Sequence, residues 1–195
     1  MSTRRILFLV ASGRREGNTE TLARHAASFL PAEVPQQWLH LDEFPLDRFE
    51  DIRHHTEKNT PWPIPEGNEK RFLDETLAAT DIVFVTPLYW YSMPASAKLY
   101  LDHWSDWMRV PGAQFRKNMA GKTLWGVCVQ SDNDPKGAEL LIHTLRRSAE
   151  YMDMKWGGEL IGSGSKPGDI RNDMRAMTAA EHFFAAVPHA LSSAR

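Results

Sequence analysis

The stretch Ile6-Leu-Phe-Leu-Val-Ala-Ser-Gly-Arg-Arg-Glu-Gly-Asn-Thr19 decides how this chain is read. Its first six residues are apolar without polar alternation, as expected of a central strand covered on both faces. Residues 12–18 are small or polar and contain Gly13 and Gly17, and a helical segment opens at Thr19. A strand that passes through a glycine-bearing loop into a helix leaves unpaired backbone N–H groups at the positive helix pole, a combination that binds phosphate. Ser12 and Thr19 add hydroxyls, Asn18 a carboxamide, and Arg14 or Arg15 positive charge around Gly17. The plainer reading is that Asn18 or Thr19 caps the helix. Capping and phosphate binding are compatible.

The same alternation continues outward. Further strands are expected at 37–41, 82–86, 124–129 and 156–161, and helices at 19–30, 68–79, 94–108, 138–152 and around 169–191. Short apolar runs alternating with amphipathic helices indicate a parallel α/β sheet. Five strands and five helices without a domain-scale linker predict one doubly wound, three-layer α/β/α domain over residues 1–195. The segment 42–67 breaks the rhythm, with Pro45, Pro61, Pro63, Pro65 and the pair His54-His55. So long a connection is expected to be either an excursion over a binding site or a plain solvated loop. Two adjacent histidines without a carboxylate or cysteine at ligand spacing do not make a metal site, so no metal is expected.

Composition narrows the classes. Hydrophobic residues at 42% and charged residues at 25% suit a soluble globular protein. A formal net charge of -2 gives no reason to expect a nucleic-acid or anionic-membrane partner. The lone Cys128 excludes an intrachain disulfide and suits a reducing cytoplasm. Within strand 124–129 it reads as a small buried apolar residue. Arg4-Arg5 before residues 6–11 imitates a signal peptide, but the run is shorter than the usual roughly 7–15 residues, and Arg14-Arg15 follow it. No apolar stretch approaches a membrane span.

Other nucleotide signatures fail on specifics. The pattern G-x-G-x-x-G is absent, because Arg-Arg-Glu separates Gly13 from Gly17. Gly162-x-Gly164 is followed by Gly168 at the wrong spacing. Gly121-Lys122-Thr123 resembles the end of a P-loop, but Arg116 replaces its first glycine and a strand follows. A ligand with a single phosphate fits better than a dinucleotide or a triphosphate.

After the strand at 82–86 comes Pro87-Leu88-Tyr89-Trp90-Tyr91-Ser92-Met93-Pro94, with Pro94 opening a helix. This position, at the carboxyl end of a central strand, is where open α/β sheets bind ligands. Three consecutive aromatic residues there would stack on a flat ligand or, more plainly, plug the core. Taken together, Ser12-x-x-x-x-Gly17-Asn18-Thr19 and Pro87-x-Tyr89-Trp90-x-x-x-Pro94-x-x-x-Lys98-x-x-x-Asp102 resemble the flavodoxin-like NAD(P)H-dependent FMN reductase and quinone reductase family. The second motif is the more specific, and the similarity in element order covers nearly the whole chain.

The resemblance implies a flavodoxin-like fold and one FMN, with NAD(P)H as co-substrate. Its implied phosphate contacts are Ser12, Asn18 and Thr19, joined by the loop residues Arg14 and Gly17. Its implied ring contacts are Pro87, Leu88, Tyr89, Trp90, Tyr91 and Ser92, with backbone amides near Tyr89–Ser92 meeting the ring's polar edge. Ser131, in the loop after the fourth strand, would border the ring or its ribityl chain. The chemistry is then borne by the flavin in a ping-pong reaction, from NAD(P)H to a quinone or similar small acceptor, with no protein nucleophile. Two features depart from the family: His103 stands where arginine is common, and 42–67 lacks the cysteines of iron–sulfur variants. Lys98 and Asp102 form an i, i+4 helix pair with a structural role. The resemblance also implies a homodimer, and Trp104, Trp107 and Met108 carry more apolar bulk than one helix face is expected to bury, although Trp104 and Trp107, three apart, could instead pack into the monomer's own core. The rival readings are a flavodoxin-type single-electron carrier, disfavoured by the weak negative charge, and a flavin-free binding protein on the same fold.

Overall fold

Strand β1 (Ile6–Val10) is buried along its whole length, as its unbroken apolar run requires. The computed structural model describes residues 4–52 and 62–185 and the backbone of 189–190. Within them β1 pairs in parallel with β2 (Gln36–His40) on one side and β3 (Asp81–Pro87) on the other. The sheet continues through β4 (Thr123–Gln130) and β5 (Lys155–Ser163), giving the order β2-β1-β3-β4-β5. The expected five-stranded parallel sheet is present. A two-residue β6 (His189–Ala190), antiparallel to β5, adds an edge that was not expected.

The sheet has two buried faces, divided by the two-residue period of the strands. Leu7, Leu9, Ile82, Phe84 and Leu124 face α2 (Gly67–Ala78), α3 (Ala95–Trp107), α4 (Phe115–Met119) and α5 (Glu139–Tyr151). Ile6, Phe8, Val83, Val85 and Trp125 face α1 (Asn18–Ala27) and α6 (Met174–His182). Since β2 and β3 leave β1 on opposite sides, the loops after β1 and β3 diverge at the switch point and open a crevice there.

Several expectations need correction. The C-terminal helical stretch is broken into a 3-10 turn at Asp169–Asn172, α6, and a second 3-10 turn at Phe183–Ala185. Asp173 starts α6 by accepting the Ala176 N–H at 3.0 Å. Helix α1 ends at Ala27 and not at residue 30, because the Ser28 N–H closes onto Arg24 and His25 carbonyls and Pro31 follows. The surplus apolar bulk of α3 is not on the surface: Trp107 is fully buried and Trp104 nearly so, packed edge-on against Tyr100 and Phe115. The irregular segment is anchored over residues 42–52, where Phe44 and Leu46 pack on the core and the Asp47 carbonyl meets His103. His54-His55 lie outside the described residues.

Candidate active site

Four loops converge at the carboxyl ends of β1, β3, β4 and β5 around a cleft of about 160 Å³. From the first loop it takes Ser12, Arg14, Gly17, Asn18 and Thr19, all expected there. Ser12 Oγ accepts from the Arg14 N–H at 3.3 Å and donates to its carbonyl at 3.1 Å, closing a tight turn. Gly17 occupies the N-cap position of α1, with no side-chain capping bond, so neither Asn18 nor Thr19 makes the cap weighed from sequence. A Cβ on Gly17 would lie 3.1 Å from Ser12 Oγ and 3.3 Å from the Arg14 carbonyl. The backbone is drawn in as closely as glycine permits, and the first turn of α1 keeps its positive pole uncapped. Arg14 lines the cleft, whereas Arg15 is ion-paired with Glu43 at 2.8 Å away from it.

Asn18 differs from expectation. Its Nδ2 donates to the carbonyls of Gly164 and Lys166 at 3.0 and 2.8 Å, and its Oδ1 accepts from Gly168 N at 2.9 Å. Both amide donors are therefore occupied within the protein, and none is left to reach a phosphate.

The second loop contributes Pro87, Leu88 and Tyr89. Leu88 N donates to the Val129 carbonyl at 3.0 Å, tying this loop to β4. Tyr89 and Ser92 exchange backbone bonds at 2.9 and 3.0 Å, so Trp90 and Tyr91 form the tip of a two-residue hairpin. Both tip residues have positive φ, 51° and 63°, as a primed turn demands. Tyr89 lines the cleft, while Trp90, 94% exposed, Tyr91 and Ser92 stand outside its lining. The amides of Tyr89 and Ser92 are thus already used within the hairpin, which narrows the backbone N–H groups expected near Tyr89–Ser92.

The third wall is Val129, Gln130 and Ser131. Gln130 Nε2 donates to the carbonyls of Asp132 and Asp134 at 3.0 and 2.6 Å and shapes the turn that carries Ser131. Sequence reasoning missed the fourth wall, Gly164 and Ser165, held by the Gly164 N–H on the Gln130 carbonyl at 2.8 Å. The available signal was the loop's place after the fifth strand. In the sequence alone, Gly162-x-Gly164 is no more than a failed nucleotide fingerprint.

A larger depression of about 630 Å³ runs over the outer face of α1. Its charges are largely matched internally: buried Glu20 holds Arg24 at 2.7 Å and lies 3.4 Å from His40 Nε2. It has no aromatic hairpin or glycine cradle, so the smaller cleft is the candidate site. The perturbed titratable groups lie elsewhere. Burial pushes the Cys128 thiol up to about 12, and burial raises Tyr100, whose hydroxyl is 2.6 Å from that of Thr76.

A family model described as flavodoxin-like fold matches residues 4–184. A Bacillus subtilis (strain 168) protein, provisionally named NAD(P)H-dependent FMN-containing oxidoreductase YwqN, is 29% identical over 177 residues, covering 90% of this chain and 94% of that protein. Among solved structures, the Trp repressor binding protein of Bacillus subtilis superposes with a TM-score of 0.70 at 24% identity, over 91% of this chain and 96% of that one. An FMN-dependent NADH-azoreductase from Bacillus anthracis str. Ames Ancestor, solved with FMN, gives 0.66 at 12% identity, over 93% and 98%. An NAD(P)H:quinone oxidoreductase from Methanothermobacter marburgensis gives 0.60 at 17% identity, over 92% and 96%. At these identities the solved structures speak for the shared fold alone.

Proposed function

Since the chain belongs to the flavodoxin-like-fold family that matches residues 4–184, we propose that it is an FMN-dependent oxidoreductase carrying electrons from NAD(P)H to a quinone or similar small acceptor. One observation carries the reading: a glycine-cradled, uncapped helix N-terminus and an aromatic hairpin meet in one cleft. The first suits a single phosphate and the second a flat ring. The FMN-containing relative and the FMN complex of the azoreductase support that choice of cofactor.

Ser12, Gly17, Thr19 and the first-turn amides of α1 would hold the phosphate, with Arg14 supplying charge. Pro87, Leu88 and Tyr89 would pack along the ring, and Ser131 would border the ring or its ribityl chain. Bound FMN supplies hydride acceptance from NAD(P)H and electron delivery to the acceptor. One cleft serves both reactants in turn, so ping-pong kinetics are expected. Tyr89, Trp90 and Tyr91 form an exposed aromatic patch beside the cleft, which suits a second copy of the chain walling the site. The proposed homodimer thus rests on this hairpin and not on Trp104 and Trp107. The buried lone thiol suits a cytoplasmic setting. Among the described residues no helix is long and apolar enough to cross a membrane.

The test is an anaerobic stopped-flow titration of flavin-loaded protein with NADH and NADPH, followed by benzoquinone. Rapid bleaching, reoxidation by quinone and parallel double-reciprocal plots are expected. Protein that binds no FMN would sink the reading, and bound FMN that neither nicotinamide bleaches would move it to a single-electron carrier.

A further inference from the structure

We propose that Asn18 is a positioning residue, whose carboxamide fastens the loop after β5 to the first loop and thereby presents Ser165 to the phosphate end of the ligand. The proposal rests on the FMN reading of the cleft. The fastening joins distant parts of the chain, between residues 146 to 152 positions apart. Two carbonyls, Gly164 and Lys166, face one side of the amide, and the N–H groups of Gly168, at 2.9 Å, and Ile170, at 3.5 Å, face the other. Carbonyls can only accept and backbone N–H groups can only donate, so this arrangement fixes which end of the amide is which. The contact is close: a Cβ on Gly164 would lie 3.0 Å from Asn18 Nδ2 and 3.0 Å from Ile170 N.

The loop is also braced from within. Asp169 Oδ2 accepts from Ser165 N at 3.2 Å and from Lys166 N at 2.7 Å, while Gly164 N is held by Gln130. With these three amides engaged, the Ser165 hydroxyl is the side-chain donor that the cleft-lining part of the loop can offer a ligand. It lines the same cleft as Ser12 and Thr19, so a phosphate cradled at α1 would receive hydroxyls from both sides. Asn18 thus acts on the ligand through Ser165, although its backbone sits at the start of α1.

The experiment combines backbone hydrogen exchange on flavin-free protein with FMN and riboflavin titrations of wild type, Asn18→Ala, Asn18→Asp and Ser165→Ala. Asn18→Asp is isosteric and can still accept from Gly168, but it turns carboxylate oxygen toward two carbonyls. The expected result is that both Asn18 variants exchange about tenfold faster or more across residues 164–170 without any ligand, reflecting the lost hydrogen bonds. They should also lose about tenfold or more in FMN affinity. Ser165→Ala should leave exchange unchanged, weaken FMN several-fold and spare riboflavin, which lacks the phosphate. Unchanged exchange with weakened FMN binding in the Asn18 variants would mean direct ligand contact and overturn the fastening. Faster exchange with unaltered FMN affinity, or a Ser165→Ala protein that binds FMN normally, would overturn the loop's role in the site. Wild-type protein that binds neither flavin would overturn the reading of the cleft, while the exchange result would still decide the fastening.

Discussion

Replacing His103 with glutamine should remove a pH-dependent part of the protein's stability. His103 is 3% exposed, with Nε2 3.0 Å from the Asp47 carbonyl and Nδ1 3.2 Å from Glu69 Oε1. The second approach is close enough for an ion pair but is not aligned as a hydrogen bond. Glu69 Oε1 also accepts the Trp107 indole N–H at 2.9 Å. A neutral imidazole has one N–H for these two oxygens, so the cation fits both. Burial alone would lower the His103 pKa, but the Glu69 carboxylate and Asp47 carbonyl outweigh it and the net shift is upward. Glu69 is lowered, chiefly by His103, and Asp106, raised chiefly by burial, completes the cluster near Arg109 and Asp51. A raised pKa means that the His103 contribution is full below its ordinary 6.5 and fades as pH climbs through the folded value. The Glu69 contribution is present above its ordinary 4.5 and is lost as pH falls through its lowered folded value. A charge-assisted contact contributes about 1.5–3 kcal/mol, and the lower end is appropriate because the geometry is imperfect and Glu69 is partly exposed. At roughly 2–4 °C per kcal/mol for this size, wild type should melt about 3–6 °C above His103→Gln near neutral or mildly acidic pH. Scanning calorimetry of both proteins from about pH 5.5 to about pH 9.5 should show that gap shrinking toward high pH. A constant gap across the range would refute the reasoning.

Three further outcomes are expected. Gly157→Ala should cost about 1–3 kcal/mol or more and lower Tm accordingly, because a Cβ there would sit 2.2 Å from the ring of fully buried Trp125. Gly126→Ala, whose Cβ would meet Ile142 Cδ1 at 3.2 Å, should be milder, and the reverse order in a melting assay would contradict the packing described. Trp90→Gly should raise stability by about 1 kcal/mol by relieving an L-residue at φ 51°, while weakening self-association in sedimentation equilibrium; stronger association would remove the hairpin from the proposed interface. Cys128, buried and with its thiol pushed up to about 12, should resist a thiol reagent at mildly alkaline pH until the protein is denatured, and one equivalent of rapid native labelling would show that the strand is accessible.

Strands β1 and β3 were legible because runs 6–11 and 82–86 are apolar without alternation, as a sheet covered on both faces requires. Helix α4 was not legible: five residues are too few to show a period, and its start depends on Gln114 at φ 43°. That omission produced another error. Phe115 of α4 is one of the rings that cover Trp104 and Trp107, so without α4 the two tryptophans looked like interface surplus. The site divides in the same way. Loops 12–19 and 87–89 could be placed because each follows a strand at the switch point, where local residue types suffice to suggest phosphate and ring contacts. Trp90 and Tyr91 lost their expected place because the Tyr89–Ser92 bond pair makes them a hairpin tip, and three aromatic letters in a row do not reveal a two-residue turn. Asn18 shows the limit most clearly. Its amide chemistry can be read from one letter, but its partners belong to a loop that reaches α1 only after five strands have been laid in order. A local reading therefore gave its donors to a ligand, and the topology gives them to Gly164 and Lys166.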